Sequence, residues 1–426
     1  MKRVYLILLA GVLGACGKAS GQEILITECY EWARQNYPQI HQHGLIDQTE
    51  RYHLGNAGKA WLPQISVNAK ASYQSEVTKF PLEGDKISSL LPGGEIPVLS
   101  KDQYQVVAQV DQAIWDGGVS RSNRAMTRAE AKADREQLES ELYALNSRVN
   151  QLYFGCLLQD ELLRQNAILQ KDLQTTMERI RAMMANGVAN QSDLESMEVE
   201  LLNVRQKEIE LKASRKAFRQ MLAAFIAQPL ADNVSLRIPD FPETISTQIN
   251  RPELRALDAR SDFLQTQDQL LTAGLMPRLS AFVQGGYGKP GLNMLKNSFE
   301  PFYIAGVRLS WNLGKLYTLK NDRRKIEVNR RMVDVQRETF LFNTRLRLLQ
   351  QNTEIKKMTD LMRTDDSIIR LRASIKKAAE VKLENGVIAV TDLIREINAE
   401  DLAKQTAITH RIQRLMSLYN YMYTTN

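Results

Sequence analysis

Asn186-Gly187-Val188-Ala189-Asn190-Gln191-Ser192-Asp193-Leu194 returns, at a constant offset, as Asn385-Gly386-Val387-Ile388-Ala389-Val390-Thr391-Asp392-Leu393. Asn and Gly accept the left-handed backbone that closes a helix at its C-terminus, so each copy predicts the end of one helix. The acidic residue that follows predicts the start of the next. Ser192-Asp193-Leu194-Glu195 fits a capping box, and Thr391 or Asp392 can cap the partner. Two helix-turn-helix tips are expected, at matching places in the two halves of the chain.

Outward from these tips the chain is built for long helices. No Pro lies between Pro97 and Pro229, and none follows Pro301. A Pro inside a helix costs about 3 kcal/mol, so its absence is what continuous helix requires. Ser120 to Met184 contains only Gly155, and Lys315 to Glu384 contains no Gly. Leu138, Leu142, Leu145, Val149 and Leu152 step by four and three, as do Leu169, Leu173, Met177, Ile180 and Met184. Ile355, Met358 and Met362 repeat the step, as do Ile408, Ile412, Leu415, Tyr419 and Met422. That spacing is the seam of helices packed as a left-handed coiled coil. Some 65 to 70 residues at 1.5 Å each make rods of roughly 100 Å. Two hairpins follow, Ser120 to about Phe225 and Lys315 to about Tyr423, over the ranges 118–226 and 315–424.

The duplication reaches further upstream. Leu62-Pro63-Gln64-Ile65-Ser66 with Tyr73 matches Met276-Pro277-Arg278-Leu279-Ser280 with Tyr287, and Trp115-Asp116-Gly117-Gly118 matches Trp311-Asn312-Leu313-Gly314. Period-two alternation predicts strands at 64–73, 103–115, 278–287 and 302–311, the third the weakest. Ile65, Val67, Ala69, Ala71 and Tyr73 alternate with Gln64, Ser66, Asn68, Lys70 and Ser72; Tyr303, Ala305, Val307, Leu309 and Trp311 alternate with Ile304, Gly306, Arg308 and Ser310. Segments near ten residues with one apolar face and aromatic ends suit a transmembrane barrel. An ordinary antiparallel sheet covered by helices gives the same alternation. Four strands are too few to close a membrane barrel, and open edges are not tolerated in lipid, so a barrel would have to be shared among several chains.

The domain plan is therefore a first repeat over 22–227, a proline-rich linker over 228–251 and a second repeat over 252–426. The strand-connecting loops run from Gln74 to Asp102 and from Gly288 to Pro301. A helix from Gln39 to Ala60 opens the first repeat and one from Pro252 to about Leu275 the second. The fold class is mainly α with a small β part.

The start of the chain reads as an export signal. Lys2 and Arg3 precede the apolar run Val4 to Leu13, which is shorter than the roughly 20 residues that a membrane-spanning helix needs. Two cleavage readings stand. Leu13-Gly14-Ala15-Cys16 resembles a lipobox, with 1–15 removed and Cys16 acylated; Ala19-Ser20-Gly21 before Gln22 suits ordinary signal peptidase, with 1–21 removed. Cys29 and Cys156 are too scattered for a disulfide framework or a metal cluster. The formal charge of +7 is spread over interleaved signs. Arg323-Arg324-Lys325 reads as a solvated helix face, with no nucleic-acid motif beside it. His41, His43 and His53 have no metal-ligand spacing, and Gly285-Gly286-Tyr287-Gly288 lacks the Lys-Ser/Thr of a phosphate loop. Nothing arranges Ser, His and Asp as a nucleophile elbow.

The repeated order, the Pro-started strands, the Trp-x-x-Gly that leads into each long helix and the paired Gly-x5-Asp-Leu tips together resemble the TolC family of outer-membrane efflux proteins. The resemblance covers essentially the whole mature chain. It implies a homotrimer in the outer membrane of a Gram-negative bacterium, whose twelve strands form one shared barrel above a helical tunnel extending into the periplasm. It implies no catalytic site and no cofactor, but an exit duct for an inner-membrane pump joined through a periplasmic adaptor, in efflux or type I secretion. The competing reading is a non-conducting periplasmic coiled-coil adaptor or scaffold. An adaptor would carry one hairpin flanked by β-domains rather than two hairpins each preceded by amphipathic strand pairs.

The resemblance also implies roles at the tips. Asn186, Gly187, Val188, Asn385, Gly386 and Val387 would form the turns that meet the adaptor. Asp193 and Asp392 would narrow the pore, and a ring of such carboxylates from three chains favours cations and binds blocking metal ions. Helix capping explains the same two carboxylates, and both roles are compatible. The chain departs from the family where a second acidic ring is usual, carrying Arg395. It carries Ile388 and Leu383 in place of a locking Arg and Tyr. Arg395 is expected to pair with Asp392 or Asp193, or to give a mixed-charge mouth.

Overall fold

The computed structural model describes residues 23–78, 99–231, 234–240, 248–294 and 296–426. The proposed signal with Cys16, and most of the loop between Gln74 and Asp102, lie outside the described residues. The chain is mainly helical with a small β part. It divides into two compact units, each drawing segments from both sequence repeats: one takes residues up to 43, 136–256 and 337–426, the other 44–135 and 257–336.

In chain order the elements are β1 (Glu23–Ile24), α1 (Ile26–Asn36), a 3-10 turn (Pro38–His41), α2 (Gln42–Lys59), β2 (Gln64–Tyr73), β3 (Asp102–Trp115), α3 (Val119–Tyr143) and α4 (Leu145–Ala185). They continue with α5 (Gln191–Ile226), β4 (Ser235–Leu236), α6 (Pro252–Ala273), β5 (Arg278–Lys289), β6 (Glu300–Ser310), a 3-10 turn (Leu313–Lys315), α7 (Leu316–Glu384) and α8 (Val390–Thr425).

In the second unit, β2, β3, β5 and β6 form one antiparallel sheet in the order β2-β3-β5-β6. The two hairpins are joined through β3 and β5, which leaves β2 and β6 as edges. The register pairs Val67 with Ala108, Val110 with Val283 and Ala281 with Val307, so, while Val107, Phe282, Phe302 and Ile304 lie on the other side, most of the apolar residues share one face. That face is exposed: Ile65, Val67, Val106, Val283, Tyr303, Val307 and Leu309 all stand in the open. The opposite face carries Asn68, Lys70, Gln109, Asp111, Gln284 and Arg308. Arg308 lies 3.7 Å from Asp111 and stacks over Phe282. The third strand, expected to be the weakest, runs for twelve residues, because its neighbours on both sides hold Gly285, Gly286 and Gly288 in register.

The matched motifs that precede the two long helices have one physical cause. The Asp116 carboxylate accepts from Gly118 N at 2.9 Å and Ser120 N at 2.7 Å. The Asn312 side chain accepts from Gly314 N at 3.1 Å. An Asp or Asn bonding two residues ahead turns the chain out of a strand and starts a helix. Burial alone would raise the Asp116 pKa, but the hydrogen bonds from Ser120 and Gly118 hold its carboxyl below the usual range.

The first unit is a helical core with two apolar clusters. One gathers Ile24, Cys29, Val149, Tyr153, Phe154, Leu222, Ile226, Leu236 and Leu415. Its fully buried aromatics each contribute about 1.5 to 3 kcal/mol by leaving water. The Tyr153 hydroxyl lies 2.8 Å from the Ile24 carbonyl and 2.6 Å from that of Arg237, across the short parallel pair β1–β4. Helix α1 and this strand pair have no counterpart in the sequence reading.

The first long helix passes from α3 to α4 through Ala144, which keeps a right-handed helical backbone (φ −60°, ψ −21°) and whose N–H still reaches the Ser140 carbonyl at 3.3 Å. This junction lies beside a clasp in which Tyr143 stacks on Tyr423 at 5.0 Å and Arg251 sits over both rings. Two further expectations are corrected. The helix expected from Gln39 to Ala60 begins as a 3-10 turn and becomes α-helical at Gln42. The N-caps after the tips also lie earlier than expected, at Asn190 and Ala389.

Candidate functional site: the two hairpin tips

Each long helix ends in the same hydrogen-bond pattern. After α4, Gly187 N donates to the Met184 carbonyl at 3.0 Å and Val188 N to that of Met183 at 2.9 Å. After α7, Gly386 N donates to Leu383 and Val387 N to Lys382, both at 2.9 Å. This nested pair satisfies carbonyls that a helix end leaves open, and it needs a left-handed residue at its centre. Gly187 has φ +76° and Gly386 φ +69°. Asn186 and Asn385 donate their side-chain amides back to Ala182 and Val381 at 2.9 and 2.8 Å. Val188 and Val387 stay exposed at the two turns.

The next helix starts sooner than the sequence suggested. Asn190, not Ser192, is the N-cap of α5: its Oδ1 accepts from Asp193 N, and Asp193 Oδ2 accepts from Asn190 N, each at 3.0 Å. In the second tip Ala389, rather than Thr391 or Asp392, holds the cap position, and Asp392 Oδ2 accepts from its N–H at 3.3 Å. The tight turn fixes the chain only as far as Val188 or Val387, and the first extended residue that reaches the helix then becomes the cap. Asp193 and Asp392 thus occupy equivalent third positions, each tied back to its own cap. Arg395 pairs with the other oxygen of Asp392.

Beneath the turns the two hairpins share one core. Leu173, Met177, Ile180, Leu194, Met197, Leu383, Val390, Leu393 and Ile397 are buried together. Leu383 is part of this core and Ile388 packs against it. The two residues that depart from the family lock therefore serve as packing.

A polar layer crosses the same bundle. Lys376 Nζ of α7 lies 2.8 Å from Asp172 Oδ2 of α4 and 2.7 Å from Glu400 Oε2 of α8. Lys404 reaches the other Glu400 oxygen at 2.7 Å. Gln165 donates to Asp401 at 2.8 Å and Asn398 to Glu200 at 3.0 Å. Burial opposes the charge on Glu400, but the hydrogen bonds from Lys376 and Lys404 hold its carboxyl below the usual range. Burial raises the Asp401 carboxyl, with Gln165 and Gln405 only partly offsetting it. Sequence reading missed this layer, although a sign was present. Leu393, Ile397 and Glu400 keep the four-three step, so a charged residue occupies a core place. His410 Nδ1 likewise meets Asp365 Oδ2 at 2.9 Å between α8 and α7.

Among the described residues no group of His, Cys, Asp or Glu is placed to hold a metal ion, and no helix is long and apolar enough to cross a membrane. Cys29 and Cys156 are free and buried.

Comparison with known proteins adds the family context. The family model described as outer membrane efflux protein matches residues 29–228. No curated protein matches the sequence. Among solved structures, the fold is similar to that of the outer membrane protein VceC from Vibrio cholerae, with TM-score 0.65 and 13% identity over 93% of this chain and 95% of that one. It is similar to the CmeC outer membrane channel of Campylobacter jejuni, with TM-score 0.62 and 14% identity over 94% and 85%. It is also similar to the open state of the MtrE outer membrane channel of Neisseria gonorrhoeae, with TM-score 0.65 and 14% identity over 94% and 88%.

Proposed function

We propose, from the match of residues 29–228 to the outer membrane efflux protein family, that this chain is the outer-membrane exit duct of a tripartite efflux or type I secretion system. It works as a passive conduit in a Gram-negative outer membrane, as a homotrimer coupled through a periplasmic adaptor to an inner-membrane pump. The observation that carries this is the four-stranded sheet with one exposed apolar face, a second face that carries its charged residues, and two open edges. In lipid the apolar face is at home and open edges are not, so three copies pairing edge to edge close a barrel and enclose the polar face. An adaptor or scaffold outside the membrane has no use for such a face, and no observation favours that reading.

At the tips, Val188 and Val387 supply apolar contact for the adaptor, on turns made by Asn186, Gly187, Asn385 and Gly386. Asp193 and Asp392 face the mouth, with Arg395 offsetting the charge of Asp392. The test is reconstitution of purified protein in planar bilayers. Stepwise conductance from a trimeric species supports the duct, and a monomer without conductance sinks it. Loss of divalent-cation block in Asp193→Ala or Asp392→Ala supports the gate, while unchanged block and unchanged ion selectivity in both, and in Arg395→Ala, removes these residues from the mouth.

A further inference from the structure

At the helical end of the sheet, within the second unit, α3, α6 and the first turns of α7 enclose a cleft of about 740 Å³. Its lining combines the apolar Leu271, Leu319 and Ile326 with the basic Arg278, Lys315 and Lys325. A smaller cleft of about 390 Å³ adjoins it and shares Arg278 and Lys315. Lys325 is balanced by Asp322 at 3.3 Å. Among the described residues, neither Arg278 nor Lys315 has a carboxylate partner.

The sheet register says which side this cleft lies on. Arg278 pairs with Ser310 and Ser280 with Arg308, whereas Leu279 pairs with Leu309 on the exposed apolar face. Arg278 therefore belongs to the polar row, which on the duct reading lines the bore. We propose that this cleft is a binding site for amphipathic organic anions in transit, with the anionic group held by Arg278 and Lys315 and the apolar body on Leu271, Leu319 and Ile326. The assignment rests on the duct reading and names the cargo class that reading leaves open. Inorganic anions satisfy the basic side chains but leave the apolar ones unused. Organic cations suit the apolar side chains but meet two unbalanced positive charges.

The test is calorimetric titration of the purified full chain with 1-naphthalenesulfonate, 1-naphthylmethylammonium and inorganic sulfate. The sulfonate should bind once per protomer and more tightly than either comparator. Arg278→Gln and Lys315→Gln should each weaken it by about tenfold. Leu271→Trp, which fills the cleft, should abolish binding while the assembly stays intact. Undiminished binding in the double Gln variant overturns the site, as does equal affinity for the cation or for sulfate. If Leu271→Trp instead breaks the assembly, the cleft holds a neighbouring copy and the proposal falls. Conductance of the same preparation separates the two readings. Conducting trimers that ignore the sulfonate refute only the cleft, whereas absent conductance removes the duct and the cargo assignment with it.

Discussion

Lys376 on α7 reaches the Asp172 carboxylate on α4 at 2.8 Å, so a single half-buried ammonium ties the hairpin of the second repeat to that of the first. The same nitrogen meets Glu400 on α8, whose side chain is only 7% exposed. Removing one partner from a buried ionic group leaves the other charged and under-bonded, which costs more than the pair gains in place. Lys376→Ala should lower stability by about 3 kcal/mol, seen as an earlier thermal melt in detergent. Glu400→Gln, which keeps two polar atoms in the layer, should cost less. Equal melting of Lys376→Ala and wild type would show that the layer does not tie the hairpins.

The pH dependence of that layer has a definite sign. The Glu400 carboxyl is held below its ordinary range by Lys376 and Lys404 against the effect of burial, so its contribution is present above the unfolded pKa and is lost as pH falls through the folded one. Lys376 is opposed by burial but held above its ordinary range by Asp172 and Glu400, so its contribution is present below the unfolded Lys pKa and is lost as pH rises through the folded one. Asp401 is raised by burial and runs the other way from Glu400, adding stability in acid and withdrawing it as pH rises. The melting temperature of wild type should therefore fall in strong acid, below about pH 4 where ordinary carboxylates titrate, and again in strong base. Glu400→Gln should flatten the acid limb and Asp401→Asn should lift the neutral plateau. Unchanged limbs in both variants would exclude the layer as the source.

Capping and pore roles of Asp193 separate by charge. Its Oδ2 accepts from Asn190 N, a bond that an amide oxygen also accepts. Asp193→Asn should keep the cap and lose divalent block, whereas Asn190→Ala should keep the block and cost about 1 kcal/mol of stability. If Asp193→Asn and wild type show the same block in bilayers, the carboxylate serves the helix alone.

The long helices, the duplicated order and the four strands were legible because they depend on local rules. Proline exclusion, the four-three step and period-two alternation all act within a few residues. The turns at Gly187 and Gly386 were legible for the same reason, since left-handed backbone selects its own residue. What lay hidden depends on partners far along the chain. Tyr143 donates to the Tyr423 carbonyl at 3.0 Å and Arg251 donates to the same carbonyl at 2.7 Å, a clasp between residues far apart in the chain. Asn190 and Ser192 are equally good caps, and only the reach of the turn before them decides between the two. The Lys376 layer joins residues of different repeats, which no window along the sequence connects.

The tip glycines give a local prediction. A side chain at φ +76° costs roughly 1 to 2 kcal/mol, whatever room surrounds it. Gly187→Val should therefore loosen the tip between α4 and α5, seen as faster amide hydrogen exchange at Val188 and in the last turn of α4. Exchange near Tyr153, in the separate apolar cluster, should not change. Uniform loosening of both regions would mean that the tip and the upper core unfold together.

The two faces of the sheet can be told apart by charge insertion. Val106 lies opposite Ala69, midway along the strands and on the exposed apolar face, while its neighbour Gln105 lies opposite Lys70 on the polar one. If the apolar face meets lipid, an Arg at 106 stands near the middle of the hydrocarbon layer, where the cost is about 2 to 4 kcal/mol. An Arg at 105 stands in water inside the barrel and costs little. Val106→Arg should thus reduce the trimer recovered from outer membranes and slow its refolding into vesicles, while Gln105→Arg leaves both near wild type and shifts ion selectivity toward anions. The opposite order, with position 105 intolerant and position 106 tolerant, would turn the sheet inside out and place the apolar face under protein rather than lipid.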